Sequence, residues 1–281
     1  MARYEENPNR WRGRPRIDPE VEKWYKVARR AFGPRKTEIC PVEYRDKFTR
    51  LPLLNGYQLL GDDHFFRIAV HKLRHNPMRP QQTKRRQIRQ HVRYAMVGQT
   101  SKDLYHHLTL KPEEMDNGRY LIQIGHYDFY DCHNLNQAIS NLKRIIKLLL
   151  EVDYTNRASQ ARDWGVPNTE IILCSVIPVP VLRQCQNYWT MISGFNKSLK
   201  GLARLYKLRY LNIHEKFIYD FDAGKTKTNR PRQLINYTLY TPDSPKYGQI
   251  DQLTIKGIDV LYQALDGATQ PPKERERNSE N

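Results

Sequence analysis

Three short segments carry the side chains best suited to acyl-transfer chemistry: Gly98-Gln99-Thr100, Gly125-His126-Tyr127-Asp128 and Asp251-Gln252-Leu253-Thr254. That chemistry needs a hydroxyl or thiol nucleophile, an imidazole to take its proton, a carboxylate to orient the imidazole, and N–H donors for the oxyanion. Thr100 supplies a hydroxyl, but its extra methyl restricts rotation and approach. Thr254 cannot act as a base at neutral pH. His106, His107, His126 and His133 lie close by in sequence, so a rebuilt pair such as Thr100 with His126 is one reading. Ordinary pocket or surface histidines are the plainer one. Asp128 and Asp251 read as loop-capping carboxylates rather than as paired acids.

The elements that must position these groups alternate in type. Residues 94–97, 120–124, 170–177 and 209–213 read as strands, the third strongly β-branched and followed by Pro178-Val179-Pro180. Residues 101–108, 135–150, 188–206 and 254–265 read as helices, with Ile139, Leu142, Ile146 and Leu149 at helical spacing in the second. Such alternation predicts an α/β three-layer sandwich with a parallel sheet, and ligands bind beyond the carboxyl ends of its strands. All three segments fall at or near that edge. Upstream, Asp18-Pro19-Glu20 reads as a helix start, with Val21, Trp24, Ala28 and Ala31 on one face up to Gly33-Pro34. Asp62-Asp63 caps a second helix carrying Phe65, Phe66, Ala69 and Leu73, which ends near Asn76-Pro77. The expected organisation is a basic disordered arm over 1–17, a small basic helical region over 18–92, the sandwich over 93–266 and a disordered tail over 267–281.

Taken in order, these elements resemble the SGNH or GDSL hydrolase family over residues 93–266. The stretch 121–152 resembles the family's strand ending in Gly-x-Asn-Asp with its loop and long helix. Residues 171–180 are similar to the strand that ends in a proline-rich turn, and 251–257 to the Asp-x-x-His block. On this resemblance the family's Gly-Asp-Ser is Gly98-Gln99-Thr100, the oxyanion asparagine is Tyr127 and the base histidine is Thr254. Gly98, Gly125, Asp128 and Asp251 keep the framework. The family's second block, a glycine whose N–H faces the oxyanion, finds no counterpart, because only 24 residues separate Thr100 from Gly125. The resemblance thus implies an SGNH/flavodoxin-like sandwich with a vestigial pocket. It implies no catalytic residue, no cofactor and no metal. Losing one oxyanion donor alone costs about 2.7–4 kcal/mol of transition-state stabilisation.

Charge points to a different use. The chain has 281 residues and a net charge of +17, which implies a polyanionic partner. Residues 1–93 hold 23 Lys+Arg against 10 Asp+Glu, so the excess concentrates at the N-terminal third. Arg12, Arg14 and Arg16 form a basic arm whose Arg-Gly-Arg-Pro core is similar to an AT-hook. Lys72, Arg74, Arg79, Lys84, Arg85, Arg86, Arg89 and Arg93 follow one another with no acid between them. Lys197, Lys200 and Arg204 on the helix 188–206, with Lys207 and Arg209 after it, form a second group; Lys225, Lys227, Arg230 and Arg232 form a third. The expected partner is nucleic acid, RNA before DNA, since SGNH-like domains without catalytic residues can bind RNA. An esterase using Thr100 with a displaced histidine, or a scaffold for an acidic protein, are the alternatives. Cys40, Cys132, Cys174 and Cys185 show neither disulfide nor zinc spacing. No apolar run is long enough to span a membrane, and no secretory signal is visible, so an intracellular site, cytoplasmic or nuclear, is expected.

Overall fold

The computed structural model describes residues 52–77, 91–110, 115, 118–131, 135–159, 169–180, 188–220, 233–241 and 253–270. Its parallel strands are short, and all but the edge strand Arg209–Leu211 are buried along most of their length, as strands covered on both faces must be. They are β2 (Tyr57–Gly61), β4 (Ala95–Met96), β5 (Arg119–Gln123), β6 (Glu170–Cys174) and β7 (Arg209–Leu211). These five run parallel in the order β4-β2-β5-β6-β7, with Gly61 opposite both Ala95 and Gln123. Two antiparallel strands complete the sheet: β3 (His91–Val92) on β4, and β1 (Leu53–Leu54) on the start of β2. The turn into β2 is Asn55-Gly56, both at positive φ, as a two-residue hairpin requires.

Helices cover the two faces. On one side α2 (Ser101–Leu110), α4 (Leu135–Ser159) and α5 (Tyr188–Leu205) pack in sequence, α2 on α4 and α4 on α5. On the other, α1 (Asp63–His71) packs on β2, β3, β4 and α6 (Ile255–Thr269). A short α3 (His126–Asp131) follows β5. A hairpin of β8 (Ile218–Asp220) and β9 (Gln233–Ile235) stands outside the main sheet. Leu59, Leu60, Phe65, Ile68, Leu121, Ile122, Leu142 and Ile146 fill the two interfaces, each essentially without solvent exposure. Burying a side chain of this size stabilises by roughly 1.5–3 kcal/mol.

The α/β sandwich is the fold the alternating pattern predicts, and each strand and helix expected between 94 and 265 is present. The division at residue 93 is different. Residues 53–71, expected in a separate helical region, supply the central strand β2 and the helix α1 of the same sheet. Polar links reinforce this: Lys72 at the end of α1 pairs with Asp259 of α6 and lies 5.9 Å from the Tyr262 ring. Asn55 donates to Asp266 and Thr269, each at 2.9 Å. The helix expected at 21–31, the arm 1–17 and residues 271–281 of the tail lie outside the described residues, and α6 itself runs to Thr269.

Candidate functional site

The strand order fixes where the chemistry can be. With β2 first in the chain, β4 on one side of it and β5, β6, β7 on the other, the winding reverses between β2 and β5, and crevices form beyond the strand ends at such a point. Two loops meet there: Gly61-Asp62-Asp63-His64 after β2, and Ile124-Gly125-His126-Tyr127-Asp128 after β5.

Their side chains form one buried polar cluster. The Asp62 carboxylate accepts from the His64 backbone N–H at 3.2 Å, which caps α1, and from the His64 ring Nδ1 at 3.1 Å. It also accepts the backbone N–H of His126, so one carboxylate ties together the starts of α1 and α3. His64 and His126 meet edge to face at 4.6 Å, and His126 meets Tyr127 at 5.5 Å. Burial dominates every ionisation here. It raises Asp62 to about 6 against the help of His126, and lowers His64 to about 4 and His126 to about 3. Both imidazoles are therefore neutral at pH 7, and the short His64–Asp62 contact is a hydrogen bond rather than an ion pair. With Nδ1 donating to Asp62, His64 keeps a basic Nε2 that is buried and has no hydrogen-bond partner. Asp63 is also raised by burial, and is held by the Arg67 guanidinium at 3.9 Å and the Tyr127 phenol.

The residues expected in the pocket have structural roles that the sequence did not reveal. Thr100 and Asp103 form a reciprocal capping pair at the start of α2, each side chain accepting the other's N–H at 3.2 Å. Asp128 accepts from the Ser101 N–H at 2.9 Å and its hydroxyl at 2.8 Å, fastening α2 to α3, and Asn141 of α4 adds a bond to Ser101 at 3.2 Å. Burial raises Asp128 to about 6. Gly125 sits at φ 129°, where a side chain is strained and an added Cβ would stand 2.8 Å from the Phe195 ring. Gly98 also has positive φ, at 70°. Thr254 caps α6, accepting from the Gly257 N–H at 3.1 Å. Asp251 and His133 lie outside the described residues.

Topology brings a second Gly-Asp pair to this edge. The loop after the first parallel strand is Gly61-Asp62-Asp63, a Gly-Asp pair followed by a carboxylate. Thr100 is a helix cap, and Asp62, Asp63 and His64 are the residues missed. Their sequence signal is Gly-Asp at the head of an amphipathic helix, a pattern that a helix cap alone also satisfies.

The expected nucleic-acid contacts separate into two sets. Lys72 is committed to Asp259, and Arg209 to Glu170 at 2.8 Å and to the Ala268 carbonyl. Arg74, Lys197, Lys200, Arg204 and Lys207 are exposed, while Arg93 is half-buried in the β3–β4 turn. Arg12, Arg14, Arg16, Arg79, Lys84, Arg85, Arg86, Arg89, Lys225, Lys227, Arg230 and Arg232 lie outside the described residues. Among the described residues no group of His, Cys, Asp and Glu could hold a metal ion, and Cys174 is a buried free thiol. No helix among them is long and apolar enough to cross a membrane.

A parallel sheet in this order, with a Gly-Asp loop and a Gly-x-x-Asp loop meeting at its switch point, defines an SGNH-like α/β domain. The OSK domain matches residues 44–229, two thirds of the chain, and the chain belongs to that family. The crystal structure of the OSK domain of Drosophila Oskar superposes with a TM-score of 0.56 at 14% identity, over 82% of this chain and 99% of that one. A second structure, of the Drosophila Oskar C-terminal domain, gives 0.55 at 15%, over 77% and 88%. A GDSL-like lipase from Bacteroides thetaiotaomicron matches at 0.42 and 19%, over 62% and 73%. No curated relative matches in sequence.

Proposed function

We propose that this chain binds nucleic acid, RNA in preference to DNA, on an OSK-type SGNH-like domain that performs no hydrolysis. The observation that carries the reading is the state of the switch-point loops. After the Gly-Asp of the first parallel strand, where the resemblance to the SGNH family puts the nucleophile, stands Asp63, bonded by the Tyr127 phenol with Arg67 at 3.9 Å, and the hydroxyls of Thr100 and Ser101 are engaged as a cap and a strut. An acyl-transfer relay needs its nucleophile and base as a unit, and these groups already serve the fold. The positive charge that a net +17 requires lies elsewhere, in part on exposed side chains that pair with no carboxylate among the described residues. The likeness to the OSK domain supports RNA as the polyanion, because an SGNH-like domain without catalytic residues binds RNA in that family.

Under this reading the arm Arg12, Arg14, Arg16 and the run Lys84, Arg85, Arg86, Arg89 extend the grip through phosphate contacts, which fix position without reading sequence. The test is RNA binding by the full chain across a salt series. The affinity falls steeply as salt rises, and reversing Lys84, Arg85, Arg86 and Arg89 to Glu flattens the slope. Purification from cells with and without nuclease identifies the nucleic acid that travels with the chain. No binding to RNA or DNA at low salt contradicts the proposal; a salt-sensitive complex with an acidic protein in its place supports the scaffold alternative. Turnover of a short-chain acyl ester that vanishes in Asp63→Asn or His64→Gln would contradict the inactive pocket.

A further inference from the structure

The outer face of α5 departs from what a solvated helix needs, in two opposite ways. No Asp or Glu occurs between Glu170 and Glu215, so this helix and β7 after it are free of acids, and β6 before it carries only Glu170, which pairs with Arg209. Lys197, Lys200 and Arg204 follow at spacings of three and four, which places them on one face along about 10 Å of helix axis, and Lys207 follows just past the helix end. All four are exposed, and none pairs with a carboxylate among the described residues. Cations near a helix C-terminus favour the macrodipole, but that effect fades within the last turn and leaves Lys197 and Lys200 unexplained.

Glycine is placed the wrong way round for stability. Gly194 and Gly201 sit within α5 on the exposed side, where glycine is the poorest helix former after proline. An added Cβ at either would meet nothing within 4 Å, so packing in this chain requires neither. At the C-terminal end the reverse holds. The Leu208 N–H bonds to the Ala203 carbonyl at 2.7 Å and the Lys207 N–H to the Arg204 carbonyl at 3.2 Å, a Schellman ending that glycine ordinarily completes. Lys207 occupies that position at φ 54°. Glycine is absent where the backbone favours it and present where only a close neighbour would.

We propose that this face docks the sugar–phosphate backbone of single-stranded RNA, its phosphates on Lys197, Lys200, Arg204 and Lys207 and its chain pressed against Gly194 and Gly201. Charge complementarity selects a polyanion, and the missing side chains let its backbone approach the helix closely. The inference rests on the RNA-binding reading above and names the surface for it.

The experiment titrates a fluorescein-labelled single-stranded RNA with the full chain across a salt series. Lys197→Gln with Lys200→Gln and Arg204→Gln removes three phosphate contacts. The log–log salt slope then falls by about 2, and affinity at about 0.1 M salt falls about 100-fold. Gly194→Gln or Gly201→Gln adds bulk without charge, and weakens binding about ten-fold while the melting temperature holds or rises. Lys207→Gly eases the backbone yet flattens the slope by about 0.7. If the wild-type chain binds RNA and the triple variant keeps its slope and affinity, the dock is elsewhere and the inference fails while the RNA reading stands. If the wild-type chain binds no RNA at low salt, both fail. If it binds polyglutamate through these lysines and not RNA, the face serves an acidic protein and the inference is overturned.

Discussion

The switch-point cluster and the outer face of α5 are opposites. The first is polar but buried, and its groups are spent on one another: Asp62 on two helix starts, Asp63 on Arg67 and Tyr127, Asp128 on Ser101. The second is cationic and exposed, and its charges answer to nothing in the described part of the chain. In an α/β sandwich ligands ordinarily sit beyond the strand ends; here the groups at that edge hold helices, and the open charge lies on a helix face. The difference predicts that substitutions in the cluster move stability and leave RNA affinity alone, whereas substitutions on α5 do the reverse.

The sharpest break is Gly125→Ala. Its positive φ and the 2.8 Å approach to Phe195 together destabilise by about 3 kcal/mol, read as a shift in the denaturant midpoint. The folded fraction is expected to bind RNA as before.

Acidity separates the opposed ionisations of the cluster. His64 and His126, lowered to about 4 and about 3, stabilise fully above the unfolded value near 6.5, and that contribution is lost as pH falls below it. Asp62 and Asp128, raised to about 6 from 3.8, act in the other direction: the fold gains as pH falls through 6. The two trends oppose each other in the wild-type chain. His126→Gln removes one of the destabilising protons, so relative to wild type its stability rises by about 2 kcal/mol between pH 7.5 and 5, measured by denaturant titration. A parallel pH profile for the two proteins would show that the ring is not held neutral.

The smallest effect concerns Gln58, whose side-chain amide is fully buried and unpartnered in β2. Gln58→Leu is expected to leave the fold intact and stabilise by about 1 kcal/mol. Destabilisation would mean that this amide has a partner within the cluster's polar network.

The sequence is readable where a property is local. The alternation of strands and helices, the Asp62 cap, the aromatic face of α1 and the acid-free cations of α5 all follow from residues near one another, and the structure has them. Membership of β2 in the sheet is not local. Tyr57–Gly61 is five residues long, includes Gln58, and is separated from its partners by the basic stretch that made residue 93 look like a boundary. Its parallel pairing with β5 spans more than sixty residues, and no periodicity encodes that. For the same reason the His64–His126 contact was invisible, although each residue stands in a recognisable loop. A threonine two residues after glycine suits both a nucleophile's loop and a helix cap, and for Thr100 only the bond with Asp103 distinguishes them.

The most direct test of this division is photo-crosslinking of RNA to the full chain, followed by identification of the attached peptides. The account predicts attachment within Tyr188–Leu205 and at Lys207, alongside any from the basic segments outside the described residues. Attachment concentrated at His64, His126 and Tyr127, with none on α5, would place binding in the cleft and contradict it.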